Sequence, residues 1–136
     1  MPEDDTTTVS AAPTDLGGRV RARCEADGEF RLAARFWTGS VRLNLPGGPV
    51  LVALEDGAVS NAADSAAEAT LTISAPDDVW AKLLSRVPPP MFNDLAPAAA
   101  FGLTVDGDLE TYWQYYPAVR RLVDLVREEW NSHGAI

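Results

Sequence analysis

The amino-acid sequence predicts a single α+β domain, a curved five-stranded antiparallel sheet covered on one face by helices. Three observations carry that prediction. Apolar residues recur every three or four positions towards both ends of the chain, the period drops to two in the middle, and an Asp56-Gly57 pair joins two alternating runs as a hairpin turn. The 136 residues, 46% of them hydrophobic, are enough to bury one core without disulfides or metal. No period of roughly 20 to 50 residues repeats, which excludes solenoids and propellers.

The elements follow in order. Residues 1–14 are almost all Pro, Glu, Asp, Thr, Ser and Ala, too polar to offset the entropy of ordering, and are expected to form a disordered acidic tail. The domain is expected over 15–131, with 132–136 frayed. Leu16, Val20 and Cys24 predict a first helix, and Phe30, Ala33, Ala34 and Trp37 a second after the Asp27-Gly28 break. Val41, Leu43 and Leu45 then alternate with Ser40, Arg42 and Asn44 as far as Pro46-Gly47-Gly48-Pro49, a strand and a turn. Val50, Val52 and Leu54 form a second strand, and Asp56-Gly57 sends the chain back through a third at Ala58-Val59-Ser60.

An alanine-rich link leads to the fourth strand, Ala69-Thr70-Leu71-Thr72-Ile73-Ser74, with Leu71 and Ile73 on one face. Ser74 stands where a helix cap belongs, and Val79, Trp80, Leu83 and Leu84 form the apolar stripe of the helix that covers the sheet. Pro88, Pro89 and Pro90 end it and force an extended segment bearing Met91, Phe92 and Leu95. Residues 101–108 read as the fifth strand. Leu109, Trp113, Tyr116, Val119, Leu122, Val123, Val126 and Trp130 mark the last helix, kinked or split at Pro117, with Arg120, Arg121, Glu128 and Glu129 on its wet face.

Twenty acidic against eleven basic residues leave a net charge of -9, which repels phosphate backbones and anionic membranes, so nucleic acid is not an expected partner. The arginine groups, 19 to 35 and 120 to 127, read as solvated helix faces. With no basic leader and no apolar run near the roughly 20 residues needed to span a bilayer, a cytoplasmic location without membrane insertion is expected.

Catalysis needs a nucleophile, a base or a metal, and the residues offer little. His133 sits in the glycine-flanked C-terminal stretch expected to fray, and reads as a bystander. Cys24 shares the apolar face of Leu16 and Val20 and reads as a small core residue. Asp106 and Asp108 flank Gly107 without the spacing of a calcium loop, and a turn and a helix cap account for both. Gly17-Gly18 and the Gly47-Gly48 turn lack a phosphate-loop pattern. No metal or cofactor is expected. What remains is an apolar surplus in the second half of the chain, either a thick core or a lined cavity.

Two segments resemble the sterol carrier protein 2 family: the strand Ala69–Ser74 opening a helix, and Ala100-Phe101-Gly102-Leu103-Thr104-Val105-Asp106-Gly107-Asp108 before the final helix, similar to the family's Ala-Phe-x-x-Gly-x-Leu-x-Val-x-Gly-Asp. The likeness spans about residues 16 to 130 and suggests a bacterial member; Ser85-Arg86 replaces a usual glycine, and no peroxisomal tripeptide closes the chain. It implies sheet and helices parting around a lipid, fatty acyl or sterol-like molecule, with binding and transfer but no covalent step. Trp80, Leu84, Met91, Phe92, Leu95, Phe101, Trp113 and Tyr116 are the expected lining, with a tyrosine hydroxyl to orient the ligand. Two alternatives stand beside this: a filled fold acting as an interaction module, as a homodimer or with a partner enzyme, and a small enzyme of secondary metabolism in which Tyr112, Tyr116 or Asp108 polarises an apolar substrate.

Overall fold

A computed structural model describes residues 15–134. The expected acidic tail, 1–14, lies outside the described residues, as do 135–136; helical backbone runs through Gly134, beyond the expected boundary at 131.

The chain opens with α1 (Leu16–Ala26) and α2 (Gly28–Ala34), separated by one residue. Asp27 explains the break. Its backbone N–H closes α1 on the Cys24 carbonyl (3.3 Å) while its carboxylate accepts from the Phe30 N–H (2.8 Å) and starts α2. Three strands follow, β1 (Gly39–Leu45), β2 (Gly48–Glu55) and β3 (Ala58–Ala63), joined by the turns Pro46-Gly47 and Asp56-Gly57. Next come β4 (Leu71–Ser74), α3 (Asp77–Leu83), the short α4 (Leu95–Ala98) with a 3-10 turn over Ala99–Phe101, and β5 (Thr104–Gly107). The expected last helix is split at Tyr115 into α5 (Leu109–Gln114) and α6 (Tyr116–Gly134), with Pro117 in the first turn of α6, where its missing N–H costs nothing.

The sheet order is β3-β2-β1-β4-β5. It is a mixed sheet, which corrects the all-antiparallel expectation: β1 and β4 run parallel, pairing Val41 with Leu71 and Leu43 with Ile73. The other three pairings are antiparallel. The reason lies in the link after β3. Instead of turning back beside β3, the chain returns to the far side of β1, and the Arg42 guanidinium holds it by donating to the carbonyls of Ala66 (2.8 Å) and Ala67 (3.1 Å). Ser40 and Thr70 exchange backbone-to-hydroxyl bonds that set the parallel register. A period of two reveals a strand, but not the direction of its neighbour.

Inward residues of β1, β2 and β4 (Val41, Leu43, Val52, Leu71, Ile73) share one core with Leu16 and Val20 of α1, Phe30 of α2 and Val119, Leu122 and Val126 of α6. Gly17 allows α1 to lie on β3: a Cβ there would stand 2.5 Å from the Ala63 backbone. The Gly17 N–H is bonded to Asp64 (2.8 Å) at the same contact.

Two further expectations fail. Ser74 does not cap α3: it lies in β4, its hydroxyl accepts from Asn44 (2.9 Å), and α3 starts after Pro76 without a side-chain cap. Arg121 and Glu129 are not on a wet face either. Arg121 grips Asp27 with two nitrogens (2.7 and 2.9 Å), and Glu129, 7% exposed, binds Arg23 at 2.7 Å. The arginines of α1 and α6 therefore stitch these helices together, because a helix bearing charge on the flank of its apolar stripe can pair with its neighbour.

Candidate functional site

The expected lining comes from α3 and the segment behind it. Val79, Trp80, Leu83 and Leu84 are all buried, so the stripe read from the sequence is the face that meets the core. The backbone of α3 approaches other elements only sparsely, so large side chains span the distance. Its C-terminal end is tied to α6: Arg127 Nε donates to the Leu83 carbonyl (2.6 Å) and Asn131 Nδ2 to that of Leu84 (2.7 Å).

After the prolines, Met91 adopts a left-handed conformation (φ 77) with half its surface in solvent. Asp94 then anchors the segment. Its carboxylate caps α4 through the Leu95 N–H (2.7 Å), accepts a short hydrogen bond from the Tyr116 hydroxyl, and pairs with Arg120 (3.4 Å). The same hydroxyl accepts from the Ala96 N–H (3.0 Å). Tyr116 thus fastens residues 94–96 to the start of α6. Burial and the Asp94 carboxylate push its phenol well up, and the same causes push Tyr112 up to about 12. Both hydroxyls stay protonated at neutral pH, and that of Tyr116 donates to Asp94.

The eight expected lining residues divide into two sets. Trp80, Leu84, Phe92 and Leu95 are buried, whereas Met91, Phe101 and Trp113 are 49%, 48% and 61% exposed; Tyr116 is intermediate. The contact of Phe92 with Phe101 joins the sets, and Trp113 meets Tyr112, a buried residue outside the eight, each pair with ring centroids 4.9 Å apart. Lys82 lies 4.9 Å over the Phe92 ring. Trp80 is 0% exposed, so its ring meets protein on every side.

Two buried donors among the described residues have no acceptor, the indole N–H groups of Trp37 and Trp80. An unmade hydrogen bond of this kind costs about 1–3 kcal/mol. The sequence marked Trp80 as lining, but nothing in it signalled that the indole N–H would be left without a partner.

Two clefts lie elsewhere. One of about 540 Å³ runs between α1, α2 and the β2–β3 turn, with Cys24, Phe30 and Val59 beside Glu25, Arg31, Arg35 and Asp56. Burial pushes the Cys24 thiol up to about 12, so it is no nucleophile at neutral pH. The other, about 440 Å³, lies among Arg23, Arg86, Arg127, Glu128, Asn131 and Ser132. Sequence reasoning missed both, since each joins residues far apart in the chain. Asp108 is a helix cap, accepting from the Thr111 N–H (3.2 Å) and hydroxyl (2.7 Å). Among the described residues no group of three or more His, Cys, Asp or Glu is placed to hold a metal ion, and no helix is long and apolar enough to cross a membrane.

No family model and no curated protein matches the sequence. Solved structures do match. The chain superposes on crystalline sterol carrier protein 2 with a TM-score of 0.66 at 24% identity, over 85% of this chain and 96% of that one. A conserved hypothetical protein from Thermus thermophilus, suggested to be a sterol carrier protein, gives 0.58 at 25% identity, over 95% and 90% of the two chains. The ubiquinone synthesis protein UbiJ-SCP2 gives 0.47 at 19%, over 82% and 91%. The architecture is sterol carrier protein 2-like.

Proposed function

We propose that this sterol-carrier-like fold binds an apolar small molecule, lipid or sterol-like in class, in the layer between the sheet and the α3–α4 segment, and transfers or presents it without a covalent step. One observation carries the reading. Buried Phe92 and Tyr112 each touch a solvent-exposed aromatic ring, so apolar surface continues from the core to the outside at Phe101 and Trp113. Monomeric proteins seldom leave large aromatics exposed next to a core that could cover them, unless the surface has a ligand or partner. The two open clefts fit an apolar ligand less well, because charged side chains rim both.

Entry requires movement, because Trp80, Leu83 and Leu95 fill the layer. The segment that would move is held by few polar contacts, chiefly the Asp94–Tyr116–Arg120 group, and its irregular backbone suits it to the role. Burial of the ligand gains roughly 25 cal/mol per Å², so few polar anchors are needed. The Tyr116 hydroxyl is committed to Asp94 and Ala96 and Asp108 to its cap, which leaves Tyr112 as the one of the three named groups open to polarise a substrate in the enzymatic alternative.

A second reading has an observation of its own. Val87, 82% exposed, and Met91 flank the prolines as an apolar patch of the kind an interaction module would present. Native mass spectrometry with organic extraction of the purified protein separates the two. A co-purifying apolar molecule is expected. Protein that is ligand-free, gives no tryptophan fluorescence shift with sterols or fatty acids, and runs as a stable complex would transfer the case to the interaction module.

A further inference from the structure

We infer that the cleft between α1, α2 and the β2–β3 turn is a separate binding site for a small organic monocarboxylate, whose apolar body rests on Phe30 and Val59 while Arg31 and Arg35 hold its carboxylate. This goes beyond the carrier reading, since no residue of α3, α4, α5 or the proline segment lines the cleft. Its volume, about 540 Å³, lies in the ordinary range of small-molecule sites.

The arginines carry the inference. Every arginine of α1 and α6 pairs with an acid, whereas Arg31 of α2 and Arg35, the residue that closes α2, pair with none among the described residues. Both line the cleft, and four positions along a helix place them about one turn apart. In a chain of net charge -9, acids of its own ordinarily take up its arginines; here two guanidiniums, each able to donate in a fork to a carboxylate, stay free beside an apolar hollow.

The walls are fixed in advance. Arg21 donates to the Val59 carbonyl (3.3 Å) and ties α1 to β3. The hairpin turn presses on the end of α2: the Gly57 N–H donates to the Trp37 carbonyl (2.8 Å), and a Cβ on Gly57 would stand 2.8 Å from the Arg35 Cα. Arg35 in turn lies 5.6 Å over the Phe36 ring. Between these walls Phe30 is buried and Val59 half-buried, and they form the apolar floor. The rim sets the charge of the ligand. Of its two acids, Glu25 is bound to Arg21 (3.1 Å) and Asp56 has no ion pair among the described residues, so two free cations face one free anion. A surplus of one positive charge suits a carboxylate, and a phosphate dianion would be repelled by Asp56.

Calorimetric titration of the full chain at pH 7.5 with 3-phenylpropanoate, its neutral amide 3-phenylpropanamide, and inorganic phosphate tests the assignment. The carboxylate should bind about tenfold tighter than the amide, the span of one hydrogen bond between charged groups. It should also bind tighter than phosphate, which has no apolar body. Arg31→Gln and Arg35→Gln break no ion pair. Each should weaken the carboxylate about tenfold and leave the amide nearly unchanged. Arg86→Gln, which removes an arginine from the other cleft, should change nothing. Equal binding of acid and amide, phosphate as tight as the carboxylate, wild-type affinity in both α2 variants, an equal loss in Arg86→Gln, or no binding at all overturns the inference. Each of these outcomes leaves the carrier reading standing, because that reading rests on other residues.

Discussion

Two tryptophan–tyrosine stacks flank the joint between α5 and α6, and they serve opposite purposes. Trp37 lies on Tyr115 with centroids 4.9 Å apart and planes 6° from parallel, and is 1% exposed. Trp113 lies on Tyr116 at 5.4 Å and 25°, and is 61% exposed. The pair chemistry is the same and both tyrosines are half-buried, but only the first stack has its indole sealed in the core. The second rests on the anchor of the α3–α4 segment and leaves one face open. An aromatic pair is thus a core element or a recognition surface according to what its neighbours cover, and not according to its residue types.

Substitutions sharpen that contrast, the largest effect first. Trp37→Ala should lower stability by about 3–5 kcal/mol in denaturant titration, as expected for emptying a fully packed site. A loss under about 1 kcal/mol would mean the site tolerates collapse, contrary to a closed core.

Asp27→Ala removes both the α2 cap and the partner of Arg121, and should cost about 2 kcal/mol. The Arg121 hydrogen bonds hold the Asp27 carboxyl below its ordinary value of 3.8. A lowered native pKa means that this stabilisation is complete at higher pH and fades as the pH falls below about 4. Asp27→Asn should therefore flatten the acid limb of the stability profile; an unchanged limb would remove Asp27 as its source.

On the open side, Tyr116→Phe deletes the hydroxyl shared by Asp94 and Ala96. It should cost about 1 kcal/mol and speed ligand exchange, measured by stopped-flow fluorescence. Exchange at the wild-type rate would show that this anchor does not gate entry. Trp113→Ala should change stability by less than about 0.5 kcal/mol yet weaken uptake of an apolar probe. A large loss of stability instead would make the second stack a core element like the first, and the contrast would collapse.

Much of this was legible in the sequence. The switch from a period of four to a period of two located α1 and β1–β4, and the Asp27-Gly28 and Asp56-Gly57 breaks fell where the chain turns, because both signals depend on residues close together in the chain. Ser74 shows where local rules fail. A serine before Ala75-Pro76 satisfies the pattern of a cap, but Asn44, thirty residues away, claims its hydroxyl for the sheet. Of the eight expected lining residues, spacing separated the buried Trp80 and Leu84 from polar neighbours, but it could not foresee that Met91, Phe101 and Trp113 would stay in solvent.

The sequence by itself determined most of the elements, the apolar inward residues of the long ones, and the apolar surplus between 80 and 116, since helix and strand periods are written residue by residue; α4 and the 3-10 turn, too short to show a period, were read as an extended segment and the start of a strand. Only the tertiary structure decided that β4 runs parallel to β1, that arginines of α1 and α6 meet acids on facing elements, and that the tryptophan of one Trp–Tyr pair is sealed while that of the other lies open. Each of those outcomes is a choice among partners distant in the chain, made by which contacts can be satisfied together.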